Sequence, residues 1–109
     1  NKEISGLLNI RSNDLGLGHP YNIVSYSLLL HMIAHVTNKK ATKLHIMLGD
    51  THVYNNHIEP LKEQLKRHPT TFPSIKITKN TDNINDIEVD DITLFDYKHE
   101  SPIFMEMST

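Results

Sequence analysis

No cysteine occurs among the 109 residues, and that absence closes three chemistries at once, since a disulfide, a thiolate metal site and a thiol nucleophile each require one. A basic excess is missing too. With 11 Lys and Arg against 13 Asp and Glu, a formal net charge of -2 and a pI near 6.5, the chain lacks the positive surface of a nucleic-acid-binding domain. No nucleic-acid partner is expected, and any bound phosphate must be held by a few placed groups. No initiator methionine or apolar leader is present: Asn1-Lys2-Glu3 runs directly into patterned sequence, and Asn1 reads as an internal cut. The longest apolar-rich stretch, residues 23–36, is interrupted by Ser25, Ser27, His31 and His35 and falls short of the roughly 20 residues a membrane span needs. It reads as a core helix, and no membrane partner is expected.

What is present is ordinary globular usage, 38% hydrophobic and 22% charged, in a length that suits one domain or part of one. Residues 4–10 alternate with β-branched ends, predicting a strand that reaches Arg11-Ser12. A loop, residues 13–20, follows with two glycines and a proline suited to a first helical turn. From Tyr21 to about Thr37 apolar residues cover nearly the whole circumference, which predicts a central, almost fully buried helix. After a polar connector, residues 38–42, Leu44, Ile46 and Leu48 alternate in a second strand, and the alternation continues through Asp50, His52 and Tyr54. Asn55 or Asn56 can cap a helix with Ile58, Leu61 and Leu65 on one face and Pro60 in its first turn. Residues 74–78 and 92–97 read as short strands. Residues 80–91 read as a polar, turn-rich region with at most one helical turn, and the apolar tail from His99 onward reads as packed rather than loose. No internal repeat or second domain is visible.

Four groups of residues could carry chemistry. Arg11-Ser12, followed by Asp14, Gly16 and Gly18, could hold a phosphate with a guanidinium and a hydroxyl; a salt bridge and a turn is the plainer reading. Both side chains could reach one phosphate only at a strand end or bulge. Gly16-Leu17-Gly18 does not complete a dinucleotide fingerprint, because Tyr21 occupies the third glycine position and no clear parallel unit follows. Asn22 opens the apolar helix with an amide that can read a pyrimidine edge or bond to nearby backbone. Asp50, His52 and Tyr54 share one face of an extended segment, forming either a polar site or a solvated strand face. His31 and His35 lie one turn apart, but Met32 stands where the zincin pattern needs glutamate, so they read as partly exposed or internally bonded imidazoles and no metal is expected. Met105 and Met107 read first as packing residues.

Taken in order, Arg11-Ser12-Asn13-Asp14 through Gly18-His19-Pro20-Tyr21-Asn22-Ile23-Val24-Ser25-Tyr26 resembles the thymidylate synthase signature that begins Arg-Ser-x-Asp and continues to Gly-x-Pro-Phe-Asn-Ile-Ala-Ser-Tyr. Gly49-Asp50-Thr51-His52-Val53-Tyr54 with Asn56-His57-Ile58 resembles its second signature, and Met105-Glu106-Met107 its C-terminal ending. Three motifs in order, with matching separations, cover essentially the whole chain. The resemblance implies an α+β fold in which a twisted mixed β-sheet packs on a long buried helix. It further implies that residues 1–109 are the C-terminal part of a single domain whose N-terminal half is absent. The implied activity is that of a methyltransferase, the reductive methylation of dUMP to dTMP with 5,10-methylenetetrahydrofolate, in a cytoplasmic homodimer. The nucleophilic cysteine would lie upstream.

By the same resemblance Arg11 and Ser12 hold the nucleotide phosphate, the Asp14 region meets the pyrimidine, and Asn22 reads the uracil N3-O4 edge, with Asp14 and Asn22 supporting catalysis. His52 and Tyr54 hold the deoxyribose 3′-hydroxyl. Asp14, Leu17, Gly18 and Tyr21 border the folate, and the tail at Met107-Ser108 closes over it. Asp50 is mainly structural. Three positions depart from the pattern: Ile10, preceded by Asn9, replaces a glutamine preceded by an aromatic; His19 replaces an apolar residue; and Thr109 replaces the common final valine. A pyrimidine nucleotide hydroxymethylase, or a non-catalytic relic of the same fold, is the alternative.

Overall fold

The structure is a computed structural model that describes residues 2–108. Asn1, read as an internal cut, and the departure at Thr109 lie outside the described residues. In chain order the elements are β1 (Glu3–Asp14), α1 (Gly18–Val36), β2 (Lys40–His52), a 3-10 turn (Asn55–His57), α2 (Ile58–Leu65), β3 (Ser74–Ile77), two further 3-10 turns (Ile84–Asp86 and Val89–Asp91) and β4 (Ile92–Phe95). β1 and β2 pair in parallel from Glu3↔Lys40 to Asp14↔His52, with one register shift between Ile4 and Ser5. β3 and β4 pair antiparallel. The fold is α+β, with parallel and antiparallel pairing divided between two two-stranded sheets.

β1, α1 and β2 form a parallel unit around Gly16 and Gly18, which the sequence did not suggest. The dinucleotide fingerprint still fails on Tyr21. β1 ends at Asp14 and α1 begins at Gly18, so residues 15–17 alone connect them. Two bonds explain this tightness. The Leu15 N–H donates to the His52 carbonyl at 3.0 Å, prolonging the pairing, and the Asp14 carboxylate accepts from the Gly18 N–H at 3.1 Å, satisfying a donor that a helix start leaves free. α1 stops where Asn38 takes a left-handed φ of 53°. The Asn38 N–H then donates to the His35 carbonyl and the Lys39 N–H to that of Ala34, a Schellman ending that delivers the chain to β2 at Lys40, inside the stretch read as a polar connector.

The expected near-complete burial of α1 is not found: of its apolar residues only Leu30 and Ala34 are buried. The helix packs on β1 and β2, with a lesser contact to the 3-10 turn at Ile84–Asp86, and Tyr21 and Val24 stay largely exposed. An apolar circumference calls for neighbours on all sides, and here part of it has none among the described residues.

Pro60 falls in the first turn of α2, as expected. Neither asparagine caps that helix; the 3-10 turn takes Asn55 and Asn56, and His57 precedes Ile58 without a side-chain cap. Lys62 and Lys66 pair with Glu59 and Glu63 in water, while Leu65 is exposed. Residues 80–91 contain two short 3-10 turns rather than one turn at most. β4 ends at Phe95, before the expected Tyr97, because Asp96 adopts a left-handed φ of 57° that no strand tolerates.

Candidate functional site

The two parallel strands alternate apolar and polar faces, and their C-terminal ends carry the polar groups. On the face where Gly6 meets Leu30 and Leu44, the pairs run Leu8↔Ile46, Ile10↔Leu48, Ser12↔Asp50 and Asp14↔His52. The apolar half of that face packs toward α1, and the polar half opens beside the α1 N-terminus. Ligands of open α/β units bind in this position, at the carboxyl ends of the strands. Ser12, Asp14, Asp50 and His52 are therefore brought together. Tyr54 lies beyond the strand, leading into the 3-10 turn, yet its ring meets His52 edge-on with centroids 5.2 Å apart. The solvated-face reading of these residues holds for Asp50, which is exposed and stands 3.7 Å from His52 Nδ1, beyond hydrogen-bond reach.

Arg11 and Ser12 sit inside regular pairing rather than at a strand end, so they point to opposite faces. Among the described residues Arg11 makes no ion pair and the Asn22 amide makes no hydrogen bond. The plainer readings of both, a salt bridge and an amide bonded to backbone, are thus not what the structure contains. Opposite Arg11, a Cβ on Gly49 would stand 2.6 Å from the Arg11 carbonyl oxygen, so the two backbones approach closely where the guanidinium leaves the strand.

Asp14 holds the turn at the start of α1. One carboxylate oxygen takes the Gly18 N–H; the other is buried without a hydrogen bond, 3.8 Å from His57 Nδ1. His57, 0% exposed, is the residue that sequence reasoning missed as a functional group. The available signal was its spacing: three residues after Tyr54, it shares a side of one 3-10 turn, and the rings meet with centroids 5.6 Å apart. His57 Nε2 lies 2.6 Å from the Glu106 carbonyl, to which Asn56 Nδ2 also donates at 3.4 Å, and Ser108 Oγ donates to Asn56 Oδ1 at 2.8 Å. The tail is anchored at this turn but is not packed as expected, since Phe104 is 82% and Met107 77% exposed and Ile103 and Met105 are only half-buried.

The loop and the tail face each other across an open cleft of about 360 Å³ whose lining includes Leu17, Tyr21, Ile103 and Met105. Of the residues expected at the folate, Leu17 and Tyr21 line this cleft, whereas Asp14, Gly18 and Ser108 do not. His19, the departure before Pro20, places Nδ1 3.1 Å from the oxygen of Asn13, a fully buried amide. Ile10 is half-buried opposite Leu48. The paired histidines of α1 separate in role: His31 is exposed and His35 Nε2 bonds to the Lys79 carbonyl. No group of three metal-ligating side chains converges among the described residues, and no helix there is long and apolar enough to cross a membrane.

Comparison with known proteins places these residues in context. The family model described as thymidylate synthase matches residues 1–109. The chain is 49% identical over 108 residues to the thymidylate synthase of Ascaris suum, covering 99% of this chain and 37% of that protein. It is 46% identical over 108 residues to the human thymidylate synthase, covering 99% and 34%. To the bifunctional dihydrofolate reductase-thymidylate synthase of Plasmodium berghei it is 46% identical over 106 residues, covering 97% and 18%. The chain thus spans about a third or less of these relatives' lengths. The match of that family model over the whole of residues 1–109 shows that the chain belongs to the thymidylate synthase family.

Proposed function

We propose that the chain is the C-terminal part of a single thymidylate synthase domain, and that the full protein reductively methylates dUMP to dTMP with 5,10-methylenetetrahydrofolate. The observation that carries the proposal is the polar cluster at the carboxyl ends of β1 and β2, with the unbonded Asn22 amide near the start of α1. Ser12 holds the phosphate from the face it shares with Asp14 and His52, and Arg11, which leaves β1 on the other face, reaches it by the length of its side chain. Asn22 accepts from uracil N3–H and donates to O4, so its N–H meets the charge that develops on O4 when a thiolate adds at C6. That thiolate comes from outside this chain, which has no cysteine. His52 and Tyr54 hold the 3′-hydroxyl, the aromatic contact between them limiting where each can point.

The folate supplies both the one-carbon unit and the hydride. Leu17 and Tyr21 give it apolar walls, Asp14 and Gly18 border it at the loop, and the tail residue Ser108 helps exclude water. Asp14 and Asn22 support catalysis by position. The protein works as a homodimer in the cytoplasm, a reading that rests on the family. A decisive experiment incubates the full-length protein with 5-fluoro-dUMP and methylenetetrahydrofolate. A covalent ternary complex by mass spectrometry is expected; a protein with its cysteine intact that forms none overturns the proposal. Preference for dCMP over dUMP would indicate the hydroxymethylase instead.

A further inference from the structure

His57 is fully buried, and each of its ring nitrogens faces a different part of the site. A carbonyl oxygen only accepts, so the 2.6 Å contact with Glu106 fixes a proton on Nε2. Nδ1 then faces the Asp14 carboxylate oxygen at 3.8 Å, and neither atom has a hydrogen-bond partner. Buried polar atoms are rarely left in this condition, and two of them facing each other need explanation. A proton between them makes a bond once they close by about 1 Å; without one, two acceptors oppose each other. The space around Nδ1 is tight, since a Cβ on Gly16 would lie 2.8 Å from it. The imidazole therefore has one orientation, set by the Gly16 turn on one side and by the tail on the other.

We propose that His57 is a positioning residue that joins the C-terminal tail to the Asp14 turn, so that the tail's docking and the aim of the Asp14 carboxylate depend on each other. Nε2 holds the Glu106 carbonyl, with Asn56 as a second holder of the same carbonyl and of Ser108. Nδ1 backs the carboxylate whose other oxygen fixes the start of α1. Loss of the imidazole should free the tail and, through Asp14, weaken the folate side of the site more than the nucleotide side, which His57 also touches through the Tyr54 ring. The kinetic consequence rests on the proposed activity; the structural consequence does not.

The test uses the full-length protein with methyl-labelled methionine, following Met105 and Met107 by NMR in the absence of ligand. His57→Leu is expected to move the Met105 signal to that of a mobile chain, and His57→Gln, which keeps a donor for Glu106, to restore it at least in part. In turnover His57→Leu should raise the KM for the folate about tenfold, the worth of one hydrogen bond to a buried group, with a smaller rise in the dissociation constant for dUMP. An unchanged Met105 signal in His57→Leu overturns the proposal, whether or not the protein turns over. So does a fall in dUMP affinity as large as that for folate, which would mark His57 as a structural residue only. Should His57→Leu fail to fold, Asn56→Ala, a change at an exposed side chain, must release the tail by the same signal; a tail unmoved by it counts equally against the proposal.

Discussion

An amide that donates and accepts is matched to uracil, which offers N3–H and O4 side by side; cytosine offers an acceptor and an amino group there instead. Asn22 has that amide unbonded among the described residues, at the start of α1. Asn22→Asp in the full-length protein removes the donor and supplies the acceptor that an amino group needs. Turnover with dUMP should fall by about a hundredfold or more, since a site built to hydrogen-bond a substrate group discriminates strongly against the mismatched partner. Binding of dCMP should improve. Measuring kcat/KM for dUMP and the dissociation constant for dCMP checks both, and an unchanged ratio would remove Asn22 from base recognition. His19 shows why a departure from a family pattern does not imply loss: its imidazole replaces apolar bulk with a bond to the buried Asn13 amide, a donor matched to an acceptor.

The parallel pair β1–β2 places Arg11 through a close backbone approach rather than through a bulge. Because a Cβ on Gly49 would meet the Arg11 carbonyl at 2.6 Å, Gly49→Ala must push the strands apart at the residue proposed to hold the phosphate. A loss of about 1–3 kcal/mol is expected, read as a lower Tm, together with weaker dUMP binding in the full-length protein. Gly6→Ala is the matched control: its Cβ would stand 3.3 Å from the tip of Leu44, a side chain that can yield. Equal effects from the two would show that the approach at Arg11 is not special. Alternation made both long strands legible in sequence, and the proline of α2 fell where the steric rule puts it. What alternation could not show was the pairing partner, so the parallel unit around Gly16 went unseen. The motifs singled out Asp14, His52 and Tyr54, which the structure gathers near the strand ends. His57 gained its meaning only when the tail, 49 residues later, folded back onto it; a contact of that separation leaves no local pattern. The burial of α1 was misjudged for a related reason, since periodicity reports which faces seek cover but not whether cover is there.

At the scale of the molecule the proportions are those of an incomplete core. The surface is 8616 Å², whereas a compact monomer of 12.5 kDa exposes about 6,200 Å². The radius of gyration is 16.2 Å, against about 13 Å for a globule of this length, and the extents are 45 × 30 × 23 Å. Among the described residues the buried hydrophobic side chains are Leu30 and Ala34, while Tyr21 and Val24 on α1, and Leu7 and Met47 on the sheet face turned away from it, lie open. Two-stranded sheets are marginal without further cover, and apolar surface of this extent marks a place where other chain or another subunit packs. The isolated 109-residue chain should therefore associate in solution and melt without a sharp transition, whereas the full-length protein should melt cooperatively. Sedimentation and calorimetry on the two decide the point. A stable monomer with a cooperative melt from the isolated chain would mean that the open faces of α1 and β1–β2 need no partner, and would weigh against the reading of the chain as part of a larger domain.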